Sequence, residues 1–215
     1  MNRPTSRLDI VGEKARTYFS TEDSAREKGL DLSREAIRFS ANAIRAVHRG
    51  EFDQARELIG SARANVEGMS STLAKHGELF YGGFVHNGQK EYAEACITLA
   101  LVAGETLPAP DELGVSYAAY LNGLGEAAGE MRRHLLDTLR EGKIERCEEI
   151  LWAMDDIYSL LVTIDFHDAM TGGLRRTTDM VRGVLERTRG DFTMSLRQKQ
   201  LEQKLDEFGN RLHKK

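Results

Sequence analysis

The chain has 215 residues, with 30 Lys+Arg against 34 Asp+Glu, three prolines and two cysteines. A net charge of −4 argues against a binder whose whole surface is basic, though not against basic residues gathered on one face. No apolar run approaches the roughly 20 residues of a membrane span. The opening MNRPTSRLDI lacks a signal peptide's apolar core, and Cys96 and Cys147 are too few and too far apart for a disulfide framework. A reduced, cytoplasmic protein without a membrane segment is expected, built as a single helical domain over 1–215.

With Pro4 near the start and Pro108 and Pro110 together, two long stretches lack the strongest helix breaker. Apolar residues recur at spacings of three and four, and strand-like alternation is scarce, so the chain reads as all-α. Helices are predicted at about 5–18, 22–48, 51–76, 80–105, 115–140, 143–163, 170–188 and 191–212, with Gly50, Gly142 and Gly190 as C-terminal stops. Short connections predict an antiparallel helical bundle of about seven or eight long helices. In the last of them Leu196, Leu201, Leu205 and Phe208 keep helical spacing and are expected to pack, while Trp152, Met154 and Tyr158 share the spacing of core residues.

Two pairs of carboxylates stand out: Glu91 and Glu94 in QKEYAEA, and Glu126 and Glu130 in GLGEAAGE. Spacings of three and four place each pair on one helix face. If the helices on either side of the Pro108 loop are antiparallel, Glu94 and Glu126 each lie about 11 residues from the turn, roughly 16 Å, so the four come out level. Their offsets from the two apolar stripes allow convergence, and equally allow two outward acidic faces. Converging carboxylates repel unless protonated or bound to metal, and hard oxygen donors suit Mg²⁺ or Mn²⁺. The Glu-x-x-His pattern of a di-iron bundle is lacking, since His134 stands four after Glu130.

Arg34, Arg38, Arg45 and Arg49 fall within about 60° of one another on one helix, a ribbon about 22 Å long suited to phosphates. No acidic residue is expected on that face between them, and the competing reading pairs them with acids of a neighbouring helix such as Asp53 or Glu57. Arg175, Arg176, Arg182, Arg187 and Arg189 form a less clean group, explained in large part by Asp179 and Glu186 at helical spacing.

The strings SREAIRFSANAIRAVHRGEF, QKEYAEA, AYLNGLGEAAGEMRR, MDDIYSLL and GLRRTTDMVRGVLERTRGD resemble the translin family, most of all its prokaryotic members near translin-associated factor X, over about residues 7–192. That resemblance implies an all-helical subunit assembling into a closed shell, commonly an octamer, which binds single-stranded or short double-stranded RNA, or single-stranded DNA, inside. It implies an Mg²⁺-dependent endoribonuclease carried by lumen-facing carboxylates, here Glu91, Glu94, Glu126 and Glu130 as catalytic and metal-binding residues. Glu126 stands where the eukaryotic catalytic subunit has Asp. The Arg34 ribbon matches the family's arginine-containing helix as the nucleic-acid contact. Two alternatives remain at this stage: a non-catalytic nucleic-acid-binding shell and a helical interaction scaffold.

Overall fold

Among the residues described by the computed structural model, 5 and 7–212, all regular structure is helical. Six long helices, α1 (Leu8–His48), α2 (Phe52–Leu73), α4 (Gly83–Ala103), α6 (Tyr117–Arg140), α7 (Ile144–Val162) and α9 (Leu174–Leu212), are interleaved with three single turns. Those turns are α3 (Gly77–Phe80), α5 (Pro110–Leu113) and α8 (Asp168–Thr171).

Two predicted breaks are absent. The predicted helices 5–18 and 22–48 fuse into one 41-residue α1, because nothing between them is Gly or Pro. Gly190, expected to stop a helix, lies inside the 39-residue α9 with open space around it. Glycine weakens a helix interior by about 1 kcal/mol without ending it. What ends α1 and α6 is the left-handed backbone at Gly50 (φ 74°) and Gly142 (φ 75°).

The first three long helices run up, down and up. Gly29 meets Leu73 and Gly68 meets Leu32, so α2 is antiparallel to α1, and Ser33 and Met69 both close on Gly88 of α4. Helices α6, α7 and α9 repeat the pattern, with the Cys147 thiol reaching Leu135 O across the α6–α7 hairpin and Arg189 reaching Asp155 between α9 and α7. The two units join where α4 packs on α6.

That junction corrects the expected antiparallel pairing. Gln89 accepts from Ser116 N, Gly123 lies against Lys90 and Glu94, and Lys90 bonds Glu126, so positions on α4 and α6 advance together and the helices are parallel. The segment 104–116, with α5 inside it, carries the chain back about 20 Å along α4 at 1.5 Å per residue. Counting outward from a turn therefore gave level carboxylates by the wrong route.

The core spans the junction: Ala93, Ile97, Leu124, Ala127, Ala128 and Val181 belong to one buried cluster. A second, around Met131, Leu135, Cys147, Ile150, Met154 and Phe192, holds the α6–α7–α9 unit together. Both cysteines are free and buried. Trp152 is 65% exposed and not the core residue its spacing suggested, whereas Met154 is buried and Tyr158 packs, partly buried, against both clusters. Leu196 packs on the second cluster, but Leu201, Leu205 and Phe208 are exposed, as are Leu8, Val11, Tyr18 and Phe19 at the other end of the chain. Among the described residues, no helix is long and apolar enough to cross a membrane.

Candidate metal centre

Small residues let α4 and α6 touch. A Cβ at Gly123 would lie 2.7 Å from Lys90 O and 3.0 Å from Glu94 N, so only glycine permits this approach of the two backbones. The carboxylates on the flank of that contact are thereby drawn together. Glu91, Glu94 and Glu126 each offer an oxygen, and the three oxygens lie within 4.8 Å of one another. Glu94 is the deepest, 8% exposed, while Glu91 and Glu126 remain partly open to solvent.

Three acids so placed depend on their neighbours for stability. Burial first, then the charges of Glu91, Glu126 and Glu130, push the Glu94 carboxyl up to about 8. The Lys90 ammonium supplies the compensating charge, 2.6 Å from Glu126 Oε1 and 3.3 Å from Glu91 Oε1. Burial acts to lower the Lys90 pKa, but its bond to Glu126 and the attraction of both acids raise it overall. Lys90 is thus a member of the site that carboxylate spacing overlooked. Its signal was present in QKEYAEA, because residue 90 shares a helix face with residue 94.

Glu130 does not join the trio. Its Oε2 lies 2.5 Å from Nε2 of His48, at the end of α1, whose side chain is only 4% exposed. That hydrogen bond, ahead of the opposing effect of burial, holds the Glu130 carboxyl below the usual range. The expected four-carboxylate convergence becomes three plus a neighbouring Glu130–His48 pair, because an imidazole from a third helix captures the fourth. No pattern in the sequence linked residues 48 and 130. Two buried polar atoms without a protein partner, His48 Nδ1 and Thr98 Oγ1, also belong here, Thr98 one turn beyond Glu94.

Arg34, Arg38, Arg45 and Arg49 are all exposed along α1 and its C-cap, about 40° to 100° around the helix from His48, and form a basic ribbon on the side of α1 away from its buried Ala36, Ser40, Ala43 and Val47. They are not free of acids. Arg34 pairs with Asp31, Arg38 with Glu35 and Arg49 with Glu51, while Arg45 bonds the Asn42 amide. The partners are local and not the neighbouring Asp53 or Glu57: Asp31 and Glu35 stand three residues before Arg34 and Arg38, within one helical turn, and Glu51 stands two residues after Arg49. In the secondary arginine group, Arg175 pairs with Asp165 and Arg189 with Asp155, both outside α9.

Phe80, Tyr81, His86, Asn87, Tyr117 and Met170 line a cavity of about 940 Å³ at the start of α4, one turn from Lys90. Burial, then the Lys90 charge, lowers the pKa of His86.

Fold and cleft together define an all-α protein of up-down-up helical units with an acidic centre between them. AfC3PO bound to duplex RNA is 31% identical with a TM-score of 0.79, and AfC3PO 30% identical with 0.78, each match covering 85% of this chain and 95% of that one. The chain belongs to the translin family. The uncharacterized protein MJ0175 of Methanocaldococcus jannaschii is 29% identical over 190 residues, 87% of this chain and 84% of that protein. Apo-NeC3PO shares the fold at a TM-score of 0.76 and 21% identity, over 90% of this chain and 100% of its own. No family model matches the chain.

Proposed function

We propose that the protein binds RNA and hydrolyses its phosphodiester bonds with Mg²⁺, or Mn²⁺, at Glu91, Glu94 and Glu126. The observation that carries this reading is the meeting of those three carboxylates in a partly enclosed cleft. The donor set fits a hard divalent cation: all oxygen, with an acid held near 8 that such an ion would return to its charged form. The RNA complex of AfC3PO, 31% identical, supports RNA as the ligand.

A divalent ion held there supplies Lewis acidity toward the phosphate oxygens. The chain's own residues do the rest. Glu91 and Glu126 present ligands from two helices that Gly123 keeps in register. Glu94 closes the site from below. Glu130, fixed by His48, stands beside them as a hydrogen-bonding neighbour and not a fourth direct ligand, while Arg34, Arg38, Arg45 and Arg49 guide the strand. Single-stranded or short duplex RNA is the proposed substrate, with single-stranded DNA as a further ligand. Self-assembly, as a closed homo-octamer in the cytoplasm, would cover the apolar residues left bare at the two ends of the chain, Leu8 to Phe19 and Leu201 to Phe208.

Incubating the purified protein with labelled RNA, with Mg²⁺ and with chelator, tests the reading. Cleavage that needs the ion and disappears in Glu126→Ala is the expected result, and cleavage indifferent to both would overturn it. One observation favours a non-catalytic RNA-binding shell instead: Lys90 already neutralises Glu126. In that case RNA binds and is never cut. An interaction scaffold would show no RNA affinity even at low salt.

A further inference from the structure

Lys90 occupies a place that a metal-centre reading leaves unexplained. Its ammonium lies against one oxygen of Glu126 and one of Glu91, two of the three residues that would hold a divalent ion. Those are its only ion-pair partners among the described residues. An ion taking up the same oxygens would sit a few ångströms from a like charge in a half-buried cleft, where screening by water is weak. The ammonium must then leave Glu126, and among the described residues no acid outside the trio pairs with it.

The remaining anion is the phosphodiester itself. We infer that Lys90 competes with the divalent ion for Glu91 and Glu126, and that an RNA phosphate, by receiving the displaced ammonium, makes metal and RNA bind cooperatively. This rests on the metal-centre reading above. The ammonium has the reach for the exchange, since its four-carbon stem rises from α4 within the cleft, one turn beyond His86. On the other side of it, the close contact of Gly123 with Lys90 O fixes the backbone, so the exchange takes place in the side chain. By linkage, the factor by which RNA tightens the ion equals the factor by which the ion tightens RNA. Lys90 thereby discourages the ion from settling where no strand is present.

The test is a Mn²⁺ titration of the full-length protein, reading free Mn²⁺ by electron paramagnetic resonance, with and without a nuclease-resistant 2′-O-methyl phosphorothioate oligonucleotide. In the wild type the oligonucleotide should tighten Mn²⁺ about tenfold or more. Lys90→Met should bind Mn²⁺ alone about tenfold tighter than the wild type, roughly 1.4 kcal/mol, and show a smaller gain from the oligonucleotide. Lys90→Arg, which keeps the charge, should behave as the wild type, and Lys90→Gln should reproduce Lys90→Met if the latter fails to assemble. Wild-type affinity and wild-type coupling in both neutral variants would overturn the inference and leave the metal centre standing. If neither the wild type nor the neutral variants bind Mn²⁺, the metal centre falls, and the inference with it.

Discussion

Gly123 of α6 meets the carbonyl oxygen of Lys90 on α4 so closely that a methyl group at residue 123 would lie 2.7 Å from it. Both atoms belong to helix backbone, so neither can swing aside. Gly123→Ala should therefore push α6 off α4, costing about 1–3 kcal/mol as overpacking does, and should weaken divalent binding as Glu126 moves from Glu91 and Glu94. Gly129, on the same helix with nothing within 4 Å, is the control. Gly129→Ala should gain about 0.5–1 kcal/mol. Urea unfolding of the two variants decides the point: equal effects would mean that the contact is not what sets the helix separation.

Glu126→Gln keeps the shape of the side chain and its contact with Lys90 while removing its charge. RNA cleavage should fall on the order of 10²-fold or more, beyond the loss expected for an outer-shell residue, with assembly size, and RNA affinity measured in chelator, nearly unchanged. Single-turnover cleavage assays and light scattering check this. Undiminished cleavage would remove Glu126 from the chemistry.

Glu94, pushed up to about 8 by burial and then by its acidic neighbours, gives the site a pH signature. Between about pH 4.5 and 8 the folded chain keeps a proton that the unfolded chain has lost. More protons bound to the folded state means that this group's contribution to stability declines as pH rises through that window. Metal affinity runs in the opposite sense, rising roughly tenfold per pH unit below about 8 because the ion must displace the proton. Calorimetry in two buffers of different ionisation enthalpy should find about one proton released per Mn²⁺ at pH 7. Glu94→Gln should abolish that release.

The Glu130 carboxyl should show a pH dependence of its own. Glu130 is held below the ordinary carboxylate range, so its stabilising effect is present above about pH 4.5 and is lost as pH falls through its lower folded value. His48→Ala leaves the Glu130 carboxylate without its partner and should cost about 1–3 kcal/mol at pH 7. The cost should shrink near pH 3. A cost that stays constant across that range would point to lost packing alone.

Along the basic ribbon of α1, the acid partners set an order of importance. Arg38 is engaged by Glu35 and Arg49 by Glu51, whereas Arg45 is bonded only to the neutral Asn42 amide. Arg45→Ala should weaken RNA binding more than Arg38→Ala and lower the slope of log affinity against log salt by about one contact's worth, roughly 0.7 for a single strand. Filter binding across a salt series measures both.

Much of this was legible in the sequence, for physical reasons that also mark where legibility ends. Helix type and most helix ends follow from periodicity and from Gly50 and Gly142, because local backbone preferences decide them. The family resemblance assigned Glu91, Glu94, Glu126 and Glu130 to one site, and the spacing set each pair on one helix face. The count that made them level, however, assumed an antiparallel course that α4 and α6 do not have. Their parallel course was not foreseen, since the length of 104–116 permits either a turn or a return, and the choice lies in the fit of Gly123 to α4. His48 with Glu130 was out of reach because the two residues meet only through tertiary packing. Trp152 misled because spacing reports which residues share a stripe and not whether that stripe is covered.

The chain's return along α4 divides the acidic trio between halves of the polypeptide: residues 91 and 94 come before the crossover and residue 126 after it. The ribosome completes α4 before it begins α6, and the centre cannot form until the second unit docks on the first. A chain that ends before residue 126 carries only two of the three acids, so the proposed chemistry would belong only to a chain in which both units are present and docked.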